Sequence, residues 1–103
     1  MAGLRVEVLD DGSFRLAGEL DMATAAEFHR SVAACLDGQG EVVLDLSDLT
    51  FLGSDGIRAF LILAGQIRPR QVVLRAPQPQ TARVLEIVGV DRTGGLRVER
   101  AST

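Results

Sequence analysis

The amino-acid sequence predicts a single α/β domain, spanning residues 1–103, with a mixed and mostly parallel β-sheet. The length suits one domain with one core. The composition, 47% hydrophobic and 24% charged, is that of a globular protein. Strand-like and helix-like patterns follow one another in the order β-β-α-β-α-β-α, with a short candidate strand at the end. Such alternation implies right-handed crossovers between parallel strands, with helices on one face of the sheet or on both.

The first part of the chain predicts a β-hairpin. Apolar residues at positions 4, 6 and 8 alternate with Arg5 and Glu7, as in a half-buried strand. Asp10-Asp11-Gly12 has the composition of a turn, and a second strand follows through Phe14 and Leu16. The hairpin supplies the antiparallel pair of the sheet.

A first helix is predicted to follow Gly18-Glu19-Leu20-Asp21. Thr24 to Glu27 match a capping box, in which the Thr and Glu side chains satisfy free N–H groups at the start of a helix. Gly38 is predicted to end the helix. The predicted core face consists of Ala25, Phe28, Val32, Cys35 and Leu36.

A central strand and a second helix are predicted next. Glu41–Leu46 contains a continuous apolar run, which is typical of a strand covered on both faces. Thr50–Gly56 is predicted to be a connection. The helix is predicted to begin at Ser54 or Asp55 and to end at Ile67, before Pro69. Its predicted core stripe is Ile57, Phe60, Leu61, Ala64 and Ile67.

The last third of the chain predicts a short strand, a helix and an edge strand. The strand covers Gln71–Leu74, and Leu96–Val98 forms the candidate edge strand. Pro77 and Pro79 introduce the helix, and Gly89 ends it. Its predicted inward residues are Val84, Leu85 and Val88.

Charge and composition exclude several classes of partner and location. The formal net charge is −3, the pI is about 5.0 and all 11 basic residues are arginines, so no basic field exists to hold nucleic acid. Cys35 is the only cysteine, which predicts a core filler without an internal disulfide. No segment resembles a signal peptide or a membrane span. We therefore expect a cytoplasmic protein without membrane insertion.

No pattern in the sequence predicts an enzyme, a metal site or a cofactor site. His29 is the only histidine, and it has no evident Ser or Cys partner. A phospho-accepting receiver domain would place Asp10, Asp11 and Asp55 around a metal ion, but it also needs a lysine, which this chain lacks. A hairpin turn is the better interpretation of Asp10-Asp11-Gly12.

The most informative segment is the turn from Leu49 to Ile57, where the central strand leads to the second helix. The first turn of a helix has unpaired N–H groups, and one Ser or Asp suffices to cap it. Here Ser54 and Asp55 stand together between Gly53 and Gly56. This surplus of small and polar residues predicts an exposed docking or signalling site.

The same segment, Val43-Leu44-Asp45-Leu46-Ser47-Asp48-Leu49-Thr50-Phe51-Leu52-Gly53-Ser54-Asp55-Gly56-Ile57, resembles a known signature. STAS domains, the anti-sigma factor antagonist family, typically have V-L-D-L-S-x-V-x-F-[IML]-D-S-[ST]-G-[LI] there. Gly18-Glu19-Leu20-Asp21, followed by Thr24-Ala25, resembles the family's G-E-L-D-x-x-T-A segment, and residues 72–74 and 84–91 resemble its late strand and helix. The resemblance covers nearly the whole chain. It implies a STAS-like sheet with helices packed on one side.

The resemblance also implies a role in partner switching. An anti-sigma factor, usually also a serine kinase, holds a sigma factor until an unphosphorylated antagonist binds the anti-sigma factor. Phosphorylation of the Ser or Thr just before the motif's Gly breaks that complex. In this chain Asp55 occupies the phospho-acceptor position and Gly53 replaces the usual preceding Asp, which leaves Ser54 as a candidate phosphorylation site. The implied partner is an anti-sigma factor or another serine-kinase-type protein.

The implied partner surface combines the turn with the start of the second helix and one earlier carboxylate. At about 100° per residue, Ile62 lies roughly opposite the predicted core stripe and near Arg58. The alternative function is that of a STAS subunit in a larger assembly, such as a lipid or anion transport complex or a stress-sensing scaffold, without a phospho-switch. The candidate binding and switch residues are Asp21, Gly53, Ser54, Asp55, Gly56, Arg58 and Ile62.

Overall fold

A computed structural model describes residues 3–100 as a five-stranded sheet and three helices, arranged in two layers. The strands follow the order β1-β2-β3-β4-β5 across the sheet, and only β1 and β2 pair antiparallel. This confirms the predicted hairpin and the mostly parallel sheet. The elements are β1 (Leu4–Val8), β2 (Phe14–Leu20), α1 (Ala25–Val32), β3 (Val42–Leu52), α2 (Ser54–Ile67), β4 (Val72–Arg75), α3 (Pro79–Val88) and β5 (Leu96–Glu99), with 3-10 turns at Ala33–Asp37 and Val90–Arg92.

The three helices pack on one face of the sheet, as the resemblance implies. Each crossover from β2 to β5 moves one strand in the same direction, and right-handed crossovers of this kind place their helices on one side. The core lies between the two layers. Phe28 of α1 meets Phe60 of α2 edge to face, with ring centroids 5.6 Å apart. Within residues 3–100, no helix is long and apolar enough to span a bilayer.

The other face of the sheet carries charged side chains. The strand register places Glu7, Arg15, Asp45, Arg75 and Glu99 in one row across all five strands, with alternating sign. Arg15 and Arg75 approach the same carboxylate oxygen of Asp45, at 3.3 and 3.4 Å. Cross-strand pairs of opposite charge stabilise a sheet, so the pairs of Arg15 and Arg75 with Asp45 join β2, β3 and β4 on the face without helices.

A second ion pair explains how an apolar residue on that face stays dry. Arg97 of β5 contacts Glu41, just before β3, at 2.7 Å. The pair crosses over β4, where Val73 stands opposite Arg97 and is only 1% exposed. Parallel sheets usually need cover on both faces, and here long arginine side chains provide part of it.

The central strand is longer than predicted. It was expected at Glu41–Leu46 with a connection over Thr50–Gly56, but β3 continues to Leu52 and only Gly53 separates it from α2. Two irregularities in the β2–β3 register each add a residue to β3, so its buried leucines at 46, 49 and 52 are spaced by three. Strict alternation is lost there, which hid the second half of the strand.

The second helix has the predicted bounds but a different buried face. Leu61, predicted inward, is 36% exposed, whereas Leu63 is 1% exposed. The reason is that α2 packs against α1 as well as against the sheet. Leu63 lies beside His29 and Val32 of α1, and the buried face of α2 includes Ala59 and Leu63 in place of Leu61.

Smaller corrections concern chain segments next to helix ends and at the sheet edge. Leu36, predicted on the core face, is exposed because the helix gives way to a 3-10 turn after Val32. Gly38 ends that turn in an extended conformation. Val88 is also exposed, because Gly89 ends α3 in the left-handed conformation, as predicted, and Val90 occupies the core instead. Val8 is exposed on edge strand β1.

Candidate functional site

The turn between β3 and α2 is joined to the end of β2 by backbone hydrogen bonds. The Gly53 N–H donates to the Leu20 carbonyl at 3.0 Å. The Gly53 carbonyl in turn accepts from the Ile57 N–H at 3.1 Å, in the first turn of α2. Gly53 therefore connects the ends of two parallel strands to the start of the helix. The two segments that resemble family motifs, around Asp21 and around Ser54, lie side by side.

Gly56 allows the first turn of α2 to approach β2 closely. A Cβ at this position would lie 2.6 Å from Leu52 Cδ1, 2.9 Å from Leu20 Cγ and 2.9 Å from the Leu20 carbonyl oxygen. One of these neighbours is backbone and cannot give way easily. Gly56 thus fixes the helix start against the strand ends and keeps the exposed part of the turn in one position.

Asp21 holds the loop between β2 and α1. Its Oδ1 accepts hydrogen bonds from the N–H groups of Ala23 at 2.9 Å and Thr24 at 3.2 Å. The predicted capping box is wrong, because the Thr24 hydroxyl is turned toward β2, where it donates to the Glu19 carbonyl at 2.9 Å. The same oxygen accepts from the Asp21 N–H at 3.0 Å. Asp21 therefore supports the shape of the surface, and its role toward a partner stays a prediction.

Ser54 and Asp55 are both exposed in the first turn of α2. Gly53 occupies the N-cap position, and no side chain caps the helix there. The Asp55 carboxylate lies at the positive end of the helix dipole, which favours a negative charge. Both side chains are available to solvent or to a partner.

Arg58 and Ile62 extend this surface along α2. Arg58 follows Asp55 by three residues and Ile62 follows Arg58 by four, so all three lie on one exposed face of the helix. Ile62 is exposed, as predicted, and borders a shallow groove of about 290 Å³ between α1 and α2. His29 and Leu36 line the α1 side of that groove. Partner binding by Arg58 and Ile62 stays a prediction.

Two apolar residues beside the turn were not among the predicted site residues. Met22 directly follows Asp21 and is 80% exposed, and Phe51 is 50% exposed near the end of β3. The bulges in β3 removed the alternation that would have signalled an outward Phe51. Met22 lies in a loop, where no regular spacing of apolar residues predicts which side chains are exposed. The available signal for Met22 was its position directly after Asp21, in a loop that resembles a family motif.

The arrangement offers little to catalysis within the part of the chain that the structure describes. No three His, Cys, Asp or Glu side chains among residues 3–100 group as metal ligands. Burial raises the pKa of the Cys35 thiol, which keeps it protonated and unreactive. Asp11 is held by the Ser13 N–H at 3.0 Å and by Arg75 at 3.3 Å, as befits the predicted hairpin turn. The exposed residues of the turn suit binding.

Comparison with known proteins finds a family model and a curated relative. Residues 7–98 match a family model described as "Mlab, STAS domain". Among curated proteins, one from Bordetella bronchiseptica that is named "Putative anti-sigma factor antagonist BtrV" is 38% identical over 77 residues. That match covers 72% of this chain and 66% of BtrV, slightly less than two thirds of that protein.

Solved structures share the fold. An anti-sigma factor antagonist from Mycobacterium paratuberculosis is 30% identical, with a TM-score of 0.69 over 91% of this chain and 83% of that one. The Bacillus anti-sigma factor antagonist SpoIIAA in its unphosphorylated form has a TM-score of 0.71 at 15% identity, over 96% of this chain and 88% of that one. SpoIIAA in its phosphorylated form has a TM-score of 0.64 over 96% of this chain and 91% of that one.

Proposed function

The chain belongs to the STAS domain family of anti-sigma factor antagonists, and we propose that it acts by binding an anti-sigma factor of the serine-kinase type. In this role it is a cytoplasmic protein-binding module in partner-switching regulation of transcription, without enzymatic activity. Binding of the anti-sigma factor releases the sigma factor that it holds.

One observation carries this proposal. Ser54 and Asp55 are exposed and leave the first turn of α2 uncapped, at the position where the family motif has its phospho-acceptor. A pair that served only to cap the helix would bond its N–H groups. The rigid support beneath, from Gly53 to the Leu20 carbonyl, suits a surface that a partner recognises in a preformed state.

We further propose that Asp55 holds the switch near one state. The relative SpoIIAA exists in unphosphorylated and phosphorylated forms. Asp55 has no hydroxyl to accept phosphate, and its single charge is smaller than the charge of about −1.5 to −2 on a phosphoserine. It therefore imitates the phosphorylated turn incompletely, and binding persists at reduced affinity. Ser54 is the remaining hydroxyl of the turn and the candidate for any phosphorylation.

A titration of a purified serine-kinase-type anti-sigma factor from the same organism, in complex with its sigma factor, tests this function. The unmodified chain is expected to release the sigma factor in a concentration-dependent way. Arg58→Glu should weaken that release, because it reverses a charge on the exposed face of α2. Arg83→Glu, an equal charge reversal on the exposed face of α3, serves as the matched control. Release that is absent with the wild-type chain, or equally weak for both variants, would refute the proposal.

The second candidate function is that of a STAS subunit in a larger assembly, such as a lipid or anion transport complex or a stress-sensing scaffold. The lack of a hydroxyl at Asp55 favours it, because a purely structural module needs no acceptor. Purification of the tagged chain from its native cell distinguishes the two functions. Recovery of a transport ATPase or scaffold, with no anti-sigma factor, would favour this alternative.

A further inference from the structure

The glycine at position 53 is not explained by its backbone. Its φ of −90° and ψ of 178° are open to any residue. A Cβ there would instead meet the ring of Phe51, at 3.2 Å from Cε2 and 3.6 Å from Cζ. The first distance is tighter than ordinary van der Waals contact, so a Cβ at position 53 would shift the ring by a few tenths of an ångström. Gly53 therefore gives the Phe51 ring its place over the start of α2.

The ring is not buried in that place. Half of Phe51 remains exposed, and Met22 is more exposed still on the neighbouring loop, which the bond from Gly53 to Leu20 holds beside the turn. A phenyl ring that leaves the core at the end of a central strand loses the stabilisation that burial would give it. Aromatic side chains in such positions are typical anchors of protein interfaces.

We propose that Phe51 is the apolar anchor by which this chain binds its partner, and that Gly53 positions the ring for that contact. The inference rests on the proposed function, because it assigns a further contact to the same surface. The occupant is the anti-sigma factor, which presents an apolar recess to the ring. Contact through a phenyl ring does not depend on phosphorylation, so it supports binding by a chain whose acceptor position is a carboxylate.

Charge defines the rim of the matching recess. Glu19 is the cross-strand neighbour of Phe51. Asp21 and Asp55 lie in the two segments that the Gly53–Leu20 bond joins, and Arg58 follows Asp55 by three residues along α2. A partner surface complementary to three carboxylates and one guanidinium carries an excess of Lys or Arg around the recess. The partner therefore combines an apolar recess with a basic rim, and a negatively charged surface does not fit.

Alanine substitution and a double-mutant cycle test this contact with the purified serine-kinase-type anti-sigma factor as the probe. We expect Phe51→Ala to weaken binding by about tenfold or more, whereas Ile87→Ala, an apolar truncation at a still more exposed position on α3, should change it by less than about twofold. Gly53→Ala should also weaken binding in the wild-type background, because its Cβ displaces the ring. With Phe51→Ala already present, Gly53→Ala should have little further effect.

Each other outcome overturns the inference, and the failures are distinguishable. If Phe51→Ala binds within about twofold of wild type while Arg58→Glu loses affinity, the ring is no anchor but the proposed function stands. If the wild-type chain does not bind the anti-sigma factor, both fail together. If sedimentation shows that Phe51→Ala only abolishes self-association, the ring covers a second copy of the chain. Circular dichroism and thermal melting of every variant verify that the fold is intact.

Discussion

The Gly53 N–H donates to the Leu20 carbonyl at 3.0 Å, and this bond unites the two segments of the candidate surface. Leu20 ends β2, just before Asp21 and Met22, and Gly53 separates β3 from α2. The ends of β2 and β3 and the start of α2 meet at this hydrogen bond. A substitution of a buried residue at this junction should therefore alter both the stability of the domain and its binding to a partner. Changes on the exposed side should alter binding alone.

The first prediction concerns the close approach at Gly56. Gly56→Ala should destabilise the domain by about 1–3 kcal/mol, because the new methyl group meets Leu20 and Leu52 within 3 Å. Gly65→Ala is the matched control within the same helix, since a Cβ there meets nothing within 4 Å. It should stabilise by about 0.5–1 kcal/mol. Urea denaturation gives both values, and shifts of the same sign would contradict the packing described at Gly56.

The second prediction tests the buried face of α2. Leu63→Ala should cost about 2–5 kcal/mol in free energy of unfolding, because Leu63 is fully enclosed between α2 and α1. Leu61→Ala should cost about 1 kcal/mol or less, because that side chain is largely at the surface. Denaturant midpoints compare the two variants directly. A larger loss of unfolding free energy for Leu61→Ala than for Leu63→Ala would show that Leu61 is buried, as the sequence predicted, and would contradict the structure.

The third prediction follows from the carboxylates on the face without helices. Hydrogen bonds from Ser13, together with Arg75, lower the pKa of Asp11 to about 2. Burial opposes the charge of Asp45, but bonds from Ser47 and from Arg15 and Arg75 outweigh it and lower the pKa of Asp45 as well. A folded-state pKa below the unfolded value means that the stabilisation is complete above the unfolded value and is lost as pH falls through the folded one.

Unfolding free energies between neutral pH and pH 2 measure this effect. Stability should decline as pH falls below the unfolded carboxyl value of 3.8 toward about 2. Asp45→Asn should be less stable than wild type at neutral pH and should show a flatter decline in acid. Glu27→Gln, which removes an exposed carboxylate on α1, is the control and should leave the curve unchanged. Parallel curves for wild type and Asp45→Asn would show that the ion pairs contribute nothing.

Local periodicity made most of the fold predictable, and it failed where backbone irregularity or tertiary contacts intervened. The hairpin, the parallel strands and α2 from Ser54 to Ile67 follow from alternation, helical spacing and Pro or Gly stops. The second half of β3 did not, because two bulges change its spacing to three. The inward face of α2 depended on its contact with α1, which no single helix pattern contains.

The exposure of the strand-to-helix turn was predictable from the sequence, whereas the exposed residues beside it were not, and partner binding at the turn stays a prediction. Ser54 and Asp55 stood out because a strand-to-helix turn needs only one capping side chain. Phe51 did not, because a phenylalanine after a buried strand is ordinarily inside. The sequence pattern at Thr24 fits a helix cap, but it does not show which way the hydroxyl points. In the structure the Thr24 hydroxyl faces β2, and Asp21 accepts the N–H bonds of the loop.

The most direct test of the account is a calorimetric titration of the purified serine-kinase-type anti-sigma factor with wild-type chain and with Asp55→Ser. The variant should keep the fold, with a stability change of about 0.3–1 kcal/mol from the lost charge at the helix start. It should bind more tightly than wild type, and ATP should then abolish its binding through phosphorylation at position 55. Equal or weaker binding by the variant would contradict a switch held by Asp55, as would transfer of phosphate to Ser54 of the wild-type chain.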